Sequence, residues 1–416
     1  MRLEKRRVSA WLCAIVAVAS SHAADTKWIA SWGSSPLEGK IVIPGVPPDK
    51  IPPSPILQGT VRYRLPLSHG GSRLILRITN EANREPLTVG AVTVGIADAG
   101  VAARAATIRK VTFGGQSSLT LPGGTPAVSD PVDLATNSTD AVIVSIFLPN
   151  ATECPLGQRG LQEVTLDARD VTQVPTFEGA VPTTARTLVS AILVASSPDA
   201  KTIVAYGDSI TDGAITDTQD VRGWPGHLAL RLMRERRQIH FAVANEGIGG
   251  NRVLSDIIGL SALARFDRDV LSLPNVTHLV LLEGINDIGF TNLPENLNPA
   301  PPVEAKALIA AYRQIIGRAH QHGIKVTGGT LLPYKRAMYY SEAGEQTRQA
   351  VNEWIRSGGE FDAVVDFDRA LRDLAEPNKL AAAYDSGDHL HPSDAGYKAM
   401  SKAFNLSMFS GSTEHE

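Results

Sequence analysis

The chain has 416 residues, 43% of them hydrophobic and 20% charged, with a mean hydropathy of −0.04. That is longer than one ordinary domain core, too apolar for a disordered chain and too evenly mixed for a protein that crosses a membrane many times. A net charge of −3 with no basic cluster argues against a nucleic-acid partner, and no internal period marks a repeat, collagen or coiled-coil protein.

The first segment is a targeting signal. Arg2, Lys5, Arg6 and Arg7 precede an apolar run from Val8 to Ala19, and small residues end at Ser21-His22-Ala23. This is the pattern of a secretory signal peptide, so cleavage is expected near Ala23 and the mature protein is expected to be exported, periplasmic or extracellular. The competing reading is a membrane anchor. The run is shorter than the roughly 20 apolar residues a spanning helix needs, so no stable membrane insertion is expected. Without residues 1–23 the chain carries 36 basic and 42 acidic residues, a net of −6, and a single cysteine, Cys154. No internal disulfide can form, and packing must hold the fold. Cys154 stands before Pro155 with no base beside it and reads as inert.

From Thr26 to about Ala195 the pattern has period two. Thr60 to Leu65 and Arg73 to Ile78 alternate inward and outward residues, and further runs lie at Leu87 to Ile96, Val111 to Phe113, Ala141 to Leu148 and Leu188 to Val194. Short strands with no helix between them predict an all-β sandwich or jelly roll over residues 24–197. Ile43 to Pro55 is proline-rich and reads as a surface loop or a lid.

After Pro198 strands and helices alternate. Apolar runs at Thr202 to Tyr206, Phe241 to Ala244, His278 to Leu282, Ile324 to Leu331 and Ala363 to Phe367 read as strands buried on both faces. Helical patterns fall near Trp224 to Arg237, Leu260 to Leu271, Val303 to His322 and Glu342 to Ser357, and another follows Ser393. The alternation predicts a parallel sheet over residues 198–416 with its ligand at the carboxyl ends of the strands.

Four motifs fall at those ends. The first strand runs into Gly207-Asp208-Ser209-Ile210-Thr211-Asp212-Gly213, where a serine is exposed between strand and helix, as a nucleophile or simply as a helix cap. Asp388-His389-Leu390-His391-Pro392 can supply a base and its orienting carboxylate from one loop. It also reads as a solvated helix start, or, with His389 and His391, as part of a metal site. Asn245-Glu246-Gly247-Ile248-Gly249-Gly250-Asn251 and Gly284-Ile285-Asn286-Asp287 offer a backbone N–H and an amide to an oxyanion, or are simply a tight turn and a turn asparagine. A dinucleotide loop is excluded at the former, because its third glycine would fall at Arg252.

In combination these motifs resemble the SGNH subgroup of the GDSL hydrolase family, over residues 200 to about 405. The resemblance implies a flavodoxin-like five-stranded parallel sheet and assigns the family's four named residues to Ser209, Gly250, Asn286 and His391, with Gly249 the alternative glycine. Trp28-Ile29-Ala30-Ser31-Trp32, Leu74 to Asn80 with Pro86-Leu87, Phe113-Gly114-Gly115 and Ser129-Asp130-Pro131-Val132 resemble the β-domain of the xylan-esterase-like branch. Glu283, an acid directly before Gly284, departs from the family pattern.

The resemblance implies a secreted serine esterase working through an acyl-enzyme. Ser209 is the nucleophile, His391 the base, Asp388 its orienting group, and Ser209, Gly250 and Asn286 the oxyanion donors. No metal or cofactor is implied. Short-chain or O-acetyl esters of a carbohydrate are the expected substrate, whether small molecule or polysaccharide, with Trp28, Trp32 and Trp224 as possible sugar platforms. The alternatives are an aryl- or acylesterase, a lysophospholipase, and, in a different class, a non-catalytic carbohydrate-binding protein.

Overall fold

The computed structural model describes residues 27–38, 53–155, 164–176, 181–182, 185–216, 220–235, 241–293 and 300–409. The signal-peptide pattern and residues 43–52 of the proline-rich stretch lie outside the described residues.

The first part of the chain is built from strands β1 (Lys27–Gly33), β2 (Ile56–Pro66), β3 (Leu74–Thr79), β4 (Leu87–Val89), β5 (Ala91–Ile96), β6 (Arg109–Lys110), β7 (Leu119–Leu121), β8 (Pro126–Val128), β9 (Ala141–Glu153), β10 (Val164–Asp167), β11 (Val181–Pro182) and β12 (Val189–Ser196). They form two antiparallel sheets, ordered β1-β12-β3-β8 and β11-β10-β2-β9-β5-β6, with a β4-β7 ribbon. Val61, Tyr63 and Leu65 of β2 and Val142, Val144 and Ile146 of β9 meet Leu74, Leu76, Ile78, Ile192 and Val194 of the facing sheet in one buried core. Alternation writes this arrangement: every second side chain enters the core.

Two details differ from the sequence reading. The continuous run Leu87 to Ile96 divides at Gly90, so that β4 and β5 join different sheets. Val111 to Phe113 forms no strand. The ladder with β5 stops at Lys110, and the chain then turns through Gly114 and Gly115, whose N–H groups bind Asp130 at 3.0 and 2.8 Å. Cys154 is free and buried, and burial together with the nearby Glu153 charge pushes its thiol up to about 12, which fits an inert side chain.

Beyond Pro198 come β13 (Lys201–Gly207), α1 (Ser209–Asp212), α2 (Gly223–Glu235), β14 (Phe241–Gly247), α3 (Ala262–Phe266), β15 (Val276–Leu282), α4 (Ile285–Gly289), α5 (Ala305–Gln321), β16 (Lys325–Gly329), α6 (Glu342–Ser357), β17 (Ala363–Val365), α7 (Phe367–Leu371) and α8 (Asp394–Lys402). The five strands pair in parallel in the order β14-β13-β15-β16-β17. Successive connections leave β13 in opposite directions, which opens a crevice at its carboxyl end, as in flavodoxin-like sheets. The short helices α1, α4 and α7 carry no pattern long enough to be read from sequence.

The two parts share a seam. Ala30 and Ala191 of the β-rich part are buried in the core of the α/β part, while Ala200 and Ala242 are buried in the sandwich core. Ala30 donates its N–H to Thr202 Oγ1 at 3.0 Å, and Val243 donates to Ser68 Oγ at 2.9 Å. Trp224, read as a possible sugar platform, is fully buried between Phe367 and Phe404 and is a core residue.

Candidate active site

β13 delivers Ser209 to the crevice. A β-carbon on Gly207 would stand 2.0 Å from the Leu282 carbonyl oxygen, so only glycine lets the ends of β13 and β15 approach this closely. Asp208 then caps α1, its Oδ1 accepting from Ile210 N at 2.9 Å, and Ser209 occupies the first helical position, only 7% exposed. Ser209 Oγ lies 2.7 Å from His391 Nε2, across 182 residues of sequence.

The loop before α8 presents that imidazole. His391 Nδ1 is 2.6 Å from Asp388 Oδ2, while Asp388 Oδ1 accepts the N–H groups of Leu390 and His391 and the Ser386 hydroxyl. Burial alone would raise the Asp388 pKa. The hydrogen bonds and charge of His391 outweigh it and hold the carboxyl well below its usual range. His389 adopts φ +64° and turns its ring to Asp385, with Nδ1 2.6 Å from Oδ2. The two imidazoles that the metal reading joined are therefore held by two different aspartates. Ser393, rather than Asp394, caps α8.

The loop after β14 lies against the turn that carries Ser209, with Ile248 N donating to Gly207 O at 3.0 Å. It reverses at Gly250, where φ is +75° and a β-carbon would meet Ile258 at 2.5 Å. Asn286, at the start of α4, donates Nδ2 to the Asn251 carbonyl at 2.9 Å and accepts the Tyr339 hydroxyl on Oδ1 at 3.1 Å. Those partners fix which way the amide points, and the second N–H of Nδ2 is left to donate elsewhere. The structure thus brings Ser209, His391 and Asp388 into one hydrogen-bonded chain and ties the Gly250 loop to Asn286. Such a set can take a proton from serine and donate to an oxyanion.

Residues 205–399 match the model of the GDSL-like lipase/acylhydrolase family. This part of the chain is a GDSL-like acylhydrolase domain. The enzyme is accordingly a carboxylic ester hydrolase. No curated protein matches the chain. Solved structures similar to it include a lipolytic protein of the G-D-S-L family from Desulfitobacterium hafniense (22% identity, 49% of this chain and 97% of that one, TM-score 0.36). A GDSL-like lipase from Bacteroides thetaiotaomicron gives 20% identity, 50% and 88% coverage and a TM-score of 0.37. An acetylxylan esterase from Geobacillus stearothermophilus gives 20%, 50% and 94%, and 0.39. At these values no substrate is read across.

Beneath the acylhydrolase site lies a charge network that no sequence motif announces. Arg265, wholly buried on α3, donates to Gly207 O at 2.9 Å, Glu246 O at 2.7 Å, Asn251 Oδ1 at 2.9 Å and Asp269 Oδ2 at 2.9 Å. Its guanidinium also sits 4.1 Å from the Tyr206 ring centre and 3.5 Å from Glu283. The unexpected acid before Gly284 is thus a member of this buried network. Arg186, from the segment before β12, reaches across the seam to Gly247 O at 3.2 Å and Asp212 Oδ2 at 3.4 Å, and Ser35 of the β-rich part bonds Asp269 at 2.5 Å. These residues escape sequence reading because each is a lone polar residue whose partners are far along the chain.

Burial dominates the acids here. It raises the pKa of Asp208, of Glu246 and of Glu283, whose carboxyl is further raised by Asp208, and brings Asp287 up to about 6. An acid whose folded pKa exceeds its unfolded one holds its proton longer in the native state. Its contribution is favourable at low pH and is lost as pH rises from about 4 to about 6, on the order of 3 kcal/mol for Asp287 alone. Buried His278, lowered to about 4 by burial and then by Lys325 and Lys201, and half-buried His227, lowered by burial, work in the opposite sense over the same window. Four acids against two such imidazoles leave a net loss, so the melting temperature should be lower at pH 7 than at pH 5. A melting temperature that climbs steadily between those values would show that the acids are ionised in the fold.

Proposed function

We propose that the chain is an exported serine esterase that hydrolyses short-chain esters, with O-acetyl groups on a carbohydrate as the preferred substrate class. The observation that carries this reading is the unbroken line from Ser209 Oγ through His391 to Asp388, at 2.7 and 2.6 Å. Ser209 attacks the ester carbonyl while His391 takes its proton, and Asp388 holds the ring and stabilises its charge. The backbone N–H groups of Ser209 and Gly250 and the free N–H of Asn286 receive the oxyanion. The tetrahedral intermediate then expels the alcohol, protonated by His391, and water repeats the sequence on the acyl-enzyme.

The near-complete cover over Ser209 favours a small acyl group. Trp32, in a groove along the seam with Asp212, Asp220 and Arg222, offers a ring for a sugar. The acetyl preference rests otherwise on the sequence resemblance to the xylan-esterase-like branch.

The test is to express the full chain with its leader, weigh the secreted product, and assay it on p-nitrophenyl esters of rising acyl length and on acetylated xylan. Expected are a mass corresponding to a start at Ala24, a rate greatest for acetate, and acetate release from the polymer. A rate peaking at C8 or longer sinks the deacetylase reading in favour of a lysophospholipase-like enzyme. Retention of Met1 in the mature protein sinks export by signal-peptide cleavage.

A further inference from the structure

Arg252 follows Asn251 directly on the loop that carries Gly250, and it is 94% buried, with a relative exposure of 6%. Buried arginines elsewhere in the domain are richly bonded: Arg348 reaches Glu345, Asp368 and the Leu331 carbonyl, and Arg265 reaches four acceptors. Arg252 is different. Among the described residues its guanidinium makes no hydrogen bond and no ion pair, and Nε is sealed from solvent without an acceptor. The Phe290 ring lies 5.7 Å from its centre, and the charges of Asp287 and Asp256 act on it without a hydrogen bond.

The neighbouring acids are committed elsewhere. Asp287 accepts the N–H groups of Val253 and Leu254 at 2.8 and 3.0 Å, and Asp256 accepts Ser261 N at 2.6 Å. A buried Nε–H without an acceptor is costly unless something else satisfies it. At one end of the residue, the Asn251 carbonyl holds Asn286 Nδ2; at the other, Phe290 packs edge-on against Tyr339, whose hydroxyl holds Asn286 Oδ1. The unpaired cation is therefore bracketed by the two groups that set the oxyanion donor.

We infer that Arg252 is a specificity-determining residue, binding a carboxylate carried by the ester substrate close to its scissile bond. This rests on the esterase reading and sharpens its substrate class: an acidic ester is preferred to its neutral counterpart. The planar fork of arginine suits a carboxylate, and its burial strengthens the pairing. The charge could belong to the alcohol part, as in an acidic sugar, or to the acyl part, as in a dicarboxylic half-ester.

Two substrate pairs distinguish these sources: 4-acetoxybenzoate against its methyl ester, and mono-4-nitrophenyl succinate against its methyl ester. Each rate is corrected for the enzyme-free reaction, which for the succinate half-ester is attack by its own carboxylate. In the unaltered enzyme one acid should exceed its methyl ester in kcat/KM by tenfold or more, and added salt should erode the difference. In Arg252→Met that acid should lose at least tenfold more than its methyl ester; Arg252→Lys should keep part of the preference. The member of the pair affected identifies the side that bears the charge. Equal rates for acid and methyl ester in both pairs in the unaltered enzyme would overturn the proposal without needing any variant, and so would an equal loss on both members in Arg252→Met. No hydrolysis of any of the four esters would overturn the esterase reading itself, and this proposal with it.

Discussion

Ser209→Ala should lower kcat for p-nitrophenyl acetate by roughly 10⁴- to 10⁶-fold and leave the thermal melt almost unchanged. In the proposed mechanism the hydroxyl is the reacting group, and its loss removes one hydrogen bond at a crevice, so chemistry is affected far more than stability. His391→Ala should be comparable. Asp388→Asn should cost about 10⁴-fold, because a neutral amide does not stabilise the charged ring and can donate to Nδ1, which holds the imidazole in the wrong tautomer. Asn286→Ala should be milder, about 10²- to 10³-fold, since it removes one of three oxyanion donors. The double variant Ser209→Ala/His391→Ala should be no slower than either single one, because base and nucleophile act as a unit. Steady-state rates beside melting curves check the whole series. Retention of more than a few per cent of the activity by Ser209→Ala would remove the serine mechanism.

The legible part of this protein is the part written by periodicity and by motifs at strand ends. Alternation in Thr60 to Leu65 and in Arg73 to Ile78 specified which face of each strand enters the sandwich, and the five apolar runs after Pro198 specified a parallel sheet. Ser209, His391 and Asp388 could be singled out because the chemistry of a nucleophile, a base and an acceptor narrows the choice once a strand end is located. The break at Gly90 was not legible, since both halves of Leu87 to Ile96 are good strand formers and only the competing sheets separate them. Trp224 was misjudged for a related reason: an aromatic at a helix start looks the same whether it faces a ligand or Phe367 and Phe404. Arg265 was invisible because an arginine on an amphipathic helix normally marks its wet face. Its acceptors come from the ends of β13 and β14 and from the Gly250 loop, which only tertiary structure brings together.

Arg265 carries the largest structural consequence. Arg265→Met leaves Gly207 O, Glu246 O and Asn251 Oδ1 without their donor in a wholly buried place, at about 1 to 3 kcal/mol for each unsatisfied group. Asp269 suffers less, because Arg268 and Ser35 still bind it. Glu283 and Glu246, whose pKa values burial already raises, lose a nearby cation but can stay protonated. The methionine recovers some packing against Tyr206, so the net destabilisation should be about 3 to 5 kcal/mol, the range for removing one partner from a buried charged network. Arg265→Lys keeps a charge but offers a point in place of a fork, and cannot reach both strand ends and Asn251 together. It should fold and yet lose about 10- to 100-fold in kcat with little change in KM, because the Gly207 carbonyl lies two residues before Ser209 and Asn251 holds the amide of Asn286. Urea unfolding and p-nitrophenyl acetate kinetics on both variants decide it. A lysine variant with native kcat, beside a methionine variant within 1 kcal/mol of the native stability, would mean that the strand ends hold the catalytic loops without this guanidinium.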